Sequence, residues 1–317
     1  MELGATIERA YVNAMLPTLR QLQYLKLLAE HRSFSRAAEA AHVTQPTLSA
    51  GVQELEKILG APVVDRGRAG VILTAAGEEA VARAEAILAQ AEDLVQAARG
   101  ASQPLAGRFR LGVIPTIAPF LLPKALPALR RRFPKLRLFL REDLTGRLIA
   151  GLKAGALDAA LIALPYDMTG LDCAEVEEDE LFAAFPANHP LTAQARVSPA
   201  LLDDEDLILL EDGHCLREHA LAACGLSSHR PRDEAAFAAT SLPTLVQMVG
   251  SGLGVSFLPA MAIEAGLADA AAVTVRPLAA DRPSRQIVVA WRAGSSRGAE
   301  GRLLAEVLRG EETGGLS

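Results

Sequence analysis

The stretch Ser33-Phe34-Ser35-Arg36-Ala37-Ala38-Glu39-Ala40-Ala41-His42-Val43-Thr44-Gln45-Pro46-Thr47-Leu48-Ser49 reads as two short helices joined by a tight turn. Ser33-Phe34-Ser35 offers a cap for a helix from Ser35 to Ala41, and the turn falls at His42-Val43. Thr44 can cap the next helix with Pro46 in its first turn, and Leu48, Val52, Leu55 and Leu59 make its buried stripe. Upstream, Leu22, Leu25, Leu28 and Ala29 recur at helical spacing and supply a first helix. This is helix-turn-helix spacing. Off the buried stripe stand Gln45, Thr47, Ser49, Ala50 and Gln53, short polar groups suited to base edges in a major groove, with Gln45 and Gln53 the best readers. Ser33, Ser35, Arg36, Arg66 and Arg68 are candidates for phosphate contact, which sets register rather than sequence choice. For any one of them a solvated surface role is equally open.

Moving outward, Gly60 stops the third helix, and Ala61 to Leu73, punctuated by Gly67 and Gly70, reads as a β wing. One long helix follows from Thr74 to Arg99, in which Val81, Ala84, Leu88, Ala91, Val95 and Ala98 alternate spacings of three and four. That seam suits pairing with a second copy, or packing against its own chain. After a small-residue linker, Gly100 to Gly107, strand-like runs recur at Phe109–Ile114, Leu136–Leu140, Leu157–Leu164, Leu207–Leu210, Val255–Leu258 and Ile287–Trp291. They alternate with helical segments, the pattern of parallel sheets with crossover helices in two subdomains. Gly250-x-Gly252-x-Gly254 follows a helix and precedes a strand, the reverse of the order that phosphate binding requires, so it reads as a helix stop and turn.

Composition agrees with this plan. The 317 residues imply two or more domains, and 50% apolar with only 4% aromatic content favours α/β layers over a β-sandwich. The net charge is −6, yet residues 15 to 75 carry seven Lys/Arg against five Asp/Glu, an asymmetry that fits an N-terminus facing nucleic acid. No run approaches the roughly 18 apolar residues of a membrane span, and no secretory leader is legible, so a cytoplasmic protein without membrane partners is expected. Three cysteines are too few for a disulfide scaffold, and any disulfide in a reducing compartment would be functional.

Two of those cysteines, Cys215 and Cys224, lie nine residues apart after Glu211-Asp212-Gly213-His214. A free thiol of ordinary pKa is only about 3% thiolate at pH 7. Gly213 and His214 read as the start of a helix from Cys215 to Ala223, which would set the sulfur at a helix N-terminus near Arg217 and Arg285 and lower its pKa. Over one continuous helix nine residues span about 13.5 Å, whereas a disulfide needs Cα atoms within about 7 Å. Joining the two thiols therefore requires unwinding. Two buried structural cysteines are an alternative, and so is a metal site, although His214, Cys215, His219, Cys224 and His229 match no common zinc spacing. Cys173 reads as structural.

The run Ser35-Arg36-Ala37-Ala38, then Thr44-Gln45-Pro46-Thr47-Leu48-Ser49, Leu55-Glu56 and Leu73-Thr74 before Gly77 resembles the DNA-binding domain of LysR-type transcriptional regulators. One departure is Gly51, where that family commonly carries a polar residue such as Gln; glycine there costs the helix about 1 kcal/mol relative to Ala. The run from Leu210 to Arg217 followed by Cys224, with Ile114-Pro115-Thr116, Leu144-Thr145 and Thr240-Ser241-Leu242, is similar to the OxyR-type peroxide sensors of the family. That resemblance implies a peroxidatic Cys215, a resolving Cys224, a peroxide pocket lined by Thr116, Thr145 and His214, and Arg285 acting on the thiol. A second pocket histidine expected by the same similarity is Ala236 here.

The expected architecture is an α/β protein: a winged helix-turn-helix over 15–73, a dimerisation helix over 74–99, a hinge over 100–107 and a periplasmic-binding-protein-like regulatory domain over 108–312. Its subdomain I would hold about 108–180 and 284–312, its subdomain II about 181–283. Residues 1–14 precede the family-like frame and read as an extension or a misplaced start. The expected function is a transcription activator of oxidative-stress defence genes, a regulator rather than an enzyme. Its expected partners are double-stranded DNA, hydrogen peroxide, RNA polymerase, a cellular thiol reductant and further copies in a homodimer or homotetramer, with no cofactor and no metal. A LysR-type regulator of a small organic ligand and a thiol peroxidase are the competing readings.

Overall fold

The computed structural model describes residues 16–67, 70–99, 104–223, 225, 238–279 and 283–310. The chain divides into two compact units, Met1–Ala98 with Ala154–Ala156, and Arg99–Lys153 with Leu157–Ser317.

In the first unit, α1 (Leu19–His31) opens with a reciprocal capping box between Thr18 and Gln21. Helix α2 (Phe34–Ala40) is capped by Ser33, whose hydroxyl accepts from the Arg36 N–H, and α3 (Gln45–Leu59) by Thr44. Gly60 ends α3 at φ +69°, where a side chain would be strained. Leu22, Leu25, Leu28, Ala37, Leu48, Val52 and Leu55 close one small core. Leu59, expected in that stripe, is the last residue of the helix and is 43% exposed. The wing is an antiparallel pair, β1 (Val64–Gly67) and β2 (Gly70–Leu73). Glu56 anchors its start, accepting from the Val63 and Val64 N–H groups.

Helix α4 (Ala75–Arg99) leaves the wing through Thr74, whose hydroxyl donates to the Pro62 carbonyl at 2.7 Å and accepts from the Gly77 N–H at 3.0 Å. Ala84 is buried in the core of this unit and Val81 and Leu88 pack against it, so the first half of the proposed seam is consumed within its own chain. Among the described side chains of α4, the large apolar ones left outside are Ile87, Leu94 and Val95, at 45%, 72% and 44% exposure. A Cβ on Gly77 would stand 2.0 Å from the Val63 carbonyl oxygen, a backbone atom with nowhere to go. Gly77→Ala should therefore cost the N-terminal unit about 1–3 kcal/mol, read as a lowered thermal midpoint by circular dichroism and weakened DNA binding. An unchanged midpoint would show that the wing and α4 slide apart freely.

The second unit is built on one mixed sheet. Its elements in chain order are β3 (Gly107–Val113), α5 (Ala118–Arg132), β4 (Leu136–Glu142), α6 (Thr145–Lys153), β5 (Ala159–Leu164) and β6 (Leu171–Pro186). There follow α7 (Cys215–Ala223), α8 (Leu242–Gly250), β7 (Ser256–Pro259), α9 (Ala260–Glu264), β8 (Val273–Pro277), β9 (Ser284–Arg292) and α10 (Gly298–Leu308). The strands lie in the order β4-β3-β5-β9-β6-β7, with β8 also on β6. Among the described strands β3 pairs parallel with β4 and β5 and the other strand pairs are antiparallel, which corrects the wholly parallel expectation.

Strand β6 changes partner along its length. Leu171 to Glu180 pair with β9, Leu181 to Pro186 with β7 and β8, and at the change the Leu181 N–H turns to the Pro283 carbonyl at 2.7 Å. This strand escapes the sequence reading because Asp172, Glu175, Glu177, Glu178, Asp179 and Glu180 obscure its alternation. The reverse error falls on Leu207–Leu210, which makes only isolated bridges, Leu207 with Val255 and Leu210 with Ala239. Helix α8 stops at Gly250, and Gly252 turns the chain at φ +80°, so the glycine triplet is a helix stop and turn.

Candidate thiol site and nucleic-acid interface

Gly213, at φ +94°, turns the chain into α7, and Cys215 is the first residue of that helix, only 4% exposed. Arg285 reaches the same interior from β9 and is itself 1% exposed. Its guanidinium spreads over three partners. Nε donates to the Asp179 carboxylate at 2.9 Å with Nη2 also 2.9 Å from that oxygen as an ion pair, Nη1 donates to the Thr116 hydroxyl at 2.8 Å, and Nη2 donates to the Thr116 carbonyl at 3.0 Å. The Met261 sulfur lies 3.8 Å from Nη2, and the Met261 N–H donates to Asp179. A buried positive charge, set by a carboxylate on β6 and a threonine before α5, thus acts on the thiol.

Burial pushes the Cys215 thiol above its ordinary pKa. The Arg285 charge and the Thr145 hydroxyl pull against that push and Glu218 adds to it, but desolvation prevails. The expected lowering is therefore not found in this state, and its second expected source is absent. Arg217 is turned away, donating to the Leu210 carbonyl at 3.2 Å and pairing with Asp212 at 3.4 Å. Burial likewise holds the partly buried His214 imidazole below its usual range and the Asp179 carboxyl above it, despite the Arg285 partner.

Of the residues expected in this site, Thr116, Thr145, Cys215 and Arg285 come together, from three elements and the loop before α5 and 169 residues apart at the widest hydrogen-bonded pair. Cys224, His229 and Ala236 lie outside the described residues. Asp179 and Met261 were not foreseen, and His219 entered only through the metal alternative, for which the described residues show no group of three or more ligands; Asp179 sat in an acidic run with no signal to mark it as the partner of Arg285. Cys173, expected to be structural, is exposed on β6 and fills no core.

On α3, the side chains of Gln45, Thr47, Ala50 and Gln53 are exposed on one face and Ser49 is half-buried. Ser35 and Arg36 are exposed on α2; the Ser35 hydroxyl donates to Gln45 at 3.3 Å, and Arg36 donates to the His31 carbonyl at 2.8 Å. Ser33 is committed as the α2 cap. Arg66 lies in β1, and Arg68 is outside the described residues.

Residues 102–312 match the family model described as the LysR substrate binding domain, and residues 19–78 the one described as bacterial regulatory helix-turn-helix protein, lysR family. The chain belongs to the LysR family. Among its relatives, the HTH-type transcriptional regulator EstR of Acinetobacter baylyi is 44% identical over 79% of this chain and 82% of that one. A probable hydrogen peroxide-inducible genes activator of Mycobacterium avium is 40% identical over 92% and 93%. The solved structure of a full-length OxyR variant from Pseudomonas aeruginosa, with one cysteine replaced by aspartate, superposes with a TM-score of 0.75 at 37% identity, covering 93% of this chain and 98% of that one.

Within a LysR-family helix-turn-helix, the glycine at position 51 has a local cause. A Cβ there would come within 2.7 Å of the Tyr24 ring on α1, so Gly51 faces the core of the domain and not the DNA-facing side. The position gives up a polar side chain so that Tyr24, 5% exposed, can pack. Among the described residues, no helix is long and apolar enough to cross a membrane.

Proposed function

We propose that this LysR-family chain is a peroxide-sensing transcriptional regulator that activates oxidative-stress defence genes when oxidised. The observation that carries the reading is the buried Cys215 thiol at the head of α7, facing the fixed Arg285 charge with the Thr145 hydroxyl beside it. Hydrogen peroxide is small enough to enter such a site and carries both donors and acceptors to meet Thr116, Thr145 and His214. The name of the Mycobacterium avium relative, a probable hydrogen peroxide-inducible genes activator, supports the same substrate.

The first step exchanges one bond for another. The Cys215 sulfur attacks one peroxide oxygen, the O–O bond breaks, and the products are a sulfenic acid and water. Arg285 stabilises negative charge on sulfur as the thiol proton leaves, which offsets the burial that keeps the resting thiol protonated. The Cys224 thiol then attacks the sulfenic sulfur and expels a second water, leaving a disulfide. If the helical rise of α7 ran on to the resolving cysteine the two Cα atoms would stand about 13.5 Å apart, so the bond would form only as α7 unwinds, and that rearrangement is the signal. A cellular thiol reductant resets it. The thiol works once per activation, so the protein is a regulator rather than a peroxidase.

On the output side, Gln45, Thr47, Ser49 and Gln53 read or approach base edges, and Ser35, Arg36, Arg66 and Arg68 hold phosphates, with Ser33 acting through its cap. Exposed Ile87, Leu94 and Val95 on α4 support assembly as a homodimer or homotetramer on double-stranded DNA in the cytoplasm, with RNA polymerase as the downstream partner. Footprinting the full chain on its operator with and without hydrogen peroxide, with peptide mass mapping of the cysteines, tests the reading. A Cys215–Cys224 disulfide that appears together with a shifted footprint is expected. A footprint that ignores the disulfide, or no disulfide at all, defeats it.

A further inference from the structure

Among the described residues His219 Nδ1 is a buried side-chain nitrogen with no hydrogen-bond partner, and it belongs to α7, the helix that Cys215 heads. His219 sits on α7 four residues after Cys215, so the two share a helix face one turn apart. A helical side chain leans toward the N-terminus of its helix, which carries the imidazole back toward the thiol. The ring is 5% exposed. Its Nε2 lies 2.9 Å from the Pro165 carbonyl oxygen, which can only accept. Nε2 therefore carries the hydrogen, and in the neutral ring Nδ1 keeps a bare lone pair.

From this geometry we infer that His219 Nδ1 is the proton acceptor for peroxide attack at Cys215, oriented by the Pro165 carbonyl as a base is oriented by a third group in nucleophile–base pairs. The inference rests on the peroxide reading of the same site. The steps balance. As sulfur attacks the nearer oxygen of hydrogen peroxide, the S–H proton passes to Nδ1 and the O–O bond breaks. The departing hydroxide takes that proton back from Nδ1 and leaves as water. Sulfur, now bonded to OH, has lost two electrons, the peroxide has gained them, and the imidazole ends neutral.

The groups around His219 favour the neutral base. Burial and the Arg285 charge from β9 both push the imidazole below its ordinary pKa, while the Pro165 carbonyl and Glu218 on its own helix oppose them. Asp179 on β6 is tied to Arg285 and relieves only part of that charge. Cys215 itself needs such a base, since its thiol holds its proton at neutral pH. At pH 7 the ring is uncharged and able to accept, whereas below its pKa it is charged and cannot.

The test follows the loss of the Cys215 thiol in the full chain with Cys224→Ser, trapping the sulfenic acid with dimedone across pH 4.5 to 8 and reading it by mass spectrometry. The unmodified His219 chain should show a rate that rises with pH through an acidic limb below the ordinary histidine range. His219→Gln, which keeps a hydrogen-bonding side chain but cannot titrate, should lose that limb with an unchanged thermal midpoint, and His219→Ala should be slower by about 100-fold. The same limb in His219→Gln as in the parent overturns the inference while leaving peroxide sensing intact. Failure of the parent itself to form the sulfenic acid overturns the peroxide reading and this inference together.

Discussion

Cys215→Ser should leave the operator footprint identical with and without peroxide. Oxygen replaces sulfur at nearly the same volume in a site only 4% exposed, so the helix and its surroundings have little reason to rearrange. What disappears is the chemistry. A serine hydroxyl ionises far above any thiol and has no path to a sulfenic acid, so neither oxidation nor the disulfide with Cys224 can follow. The loss of response should be complete at any peroxide concentration the protein survives, with a stability change below about 1.5 kcal/mol because the new hydroxyl can still meet the Thr145 hydroxyl that acts on the parent thiol. A peroxide-dependent footprint that persists in this variant would point to the organic-ligand reading, in which Cys215 is dispensable.

Arg285→Met has the second large expected effect, and its size should depend on pH. The substitution keeps the buried volume but strips Asp179 of its guanidinium partner and Thr116 of two hydrogen bonds. Breaking one side of a buried ion pair costs about 3–5 kcal/mol. Burial already holds the Asp179 carboxyl above its ordinary pKa with Arg285 in place, and removing that charge raises it further. A carboxyl whose folded pKa lies above its unfolded one contributes stability below the unfolded value and loses it as pH rises through the folded value. The variant should therefore approach the parent in stability near pH 4 and fall behind it toward pH 7. Trp291, the single tryptophan of the chain and 2% exposed on β9, reports unfolding of this unit in urea. A penalty that is flat across that range would mean Asp179 is solvated in the variant.

The persistence of the Arg285–Asp179 pair has a functional explanation rather than an energetic one. A buried ion pair whose carboxyl is pushed toward its neutral form is a poor source of stability, and well-packed apolar side chains would serve as well. What the pair provides is a guanidinium that cannot move, held by Asp179 and Thr116 with the thiol nearby.

The helix-turn-helix was legible because its signals are local: Ser33 and Thr44 cap the second and third helices, Gly60 ends the third, and the leucine spacing names the buried face, although the Thr18 capping box of the first helix went unread. Helix α7 was legible for the same reason, a turn at Gly213 followed by short apolar residues. The long acidic strand β6 was not, since its alternation is masked by carboxylates and its pairing depends on β7, β8 and β9 far along the chain. Likewise, the seam on α4 could be counted in the sequence, but which half of it the chain uses for itself required the packed core around Ala84.

The amino-acid order by itself thus determined where the DNA-reading helix begins and ends and which thiol heads α7, because caps, turns and periodicity act over a few residues. Tertiary structure alone decided that Gly51 makes room for Tyr24, that Arg285 and not Arg217 faces Cys215, and that the resting thiol keeps its proton. Those are matters of burial and charge, and both are supplied by side chains that the sheet brings in from distant parts of the chain.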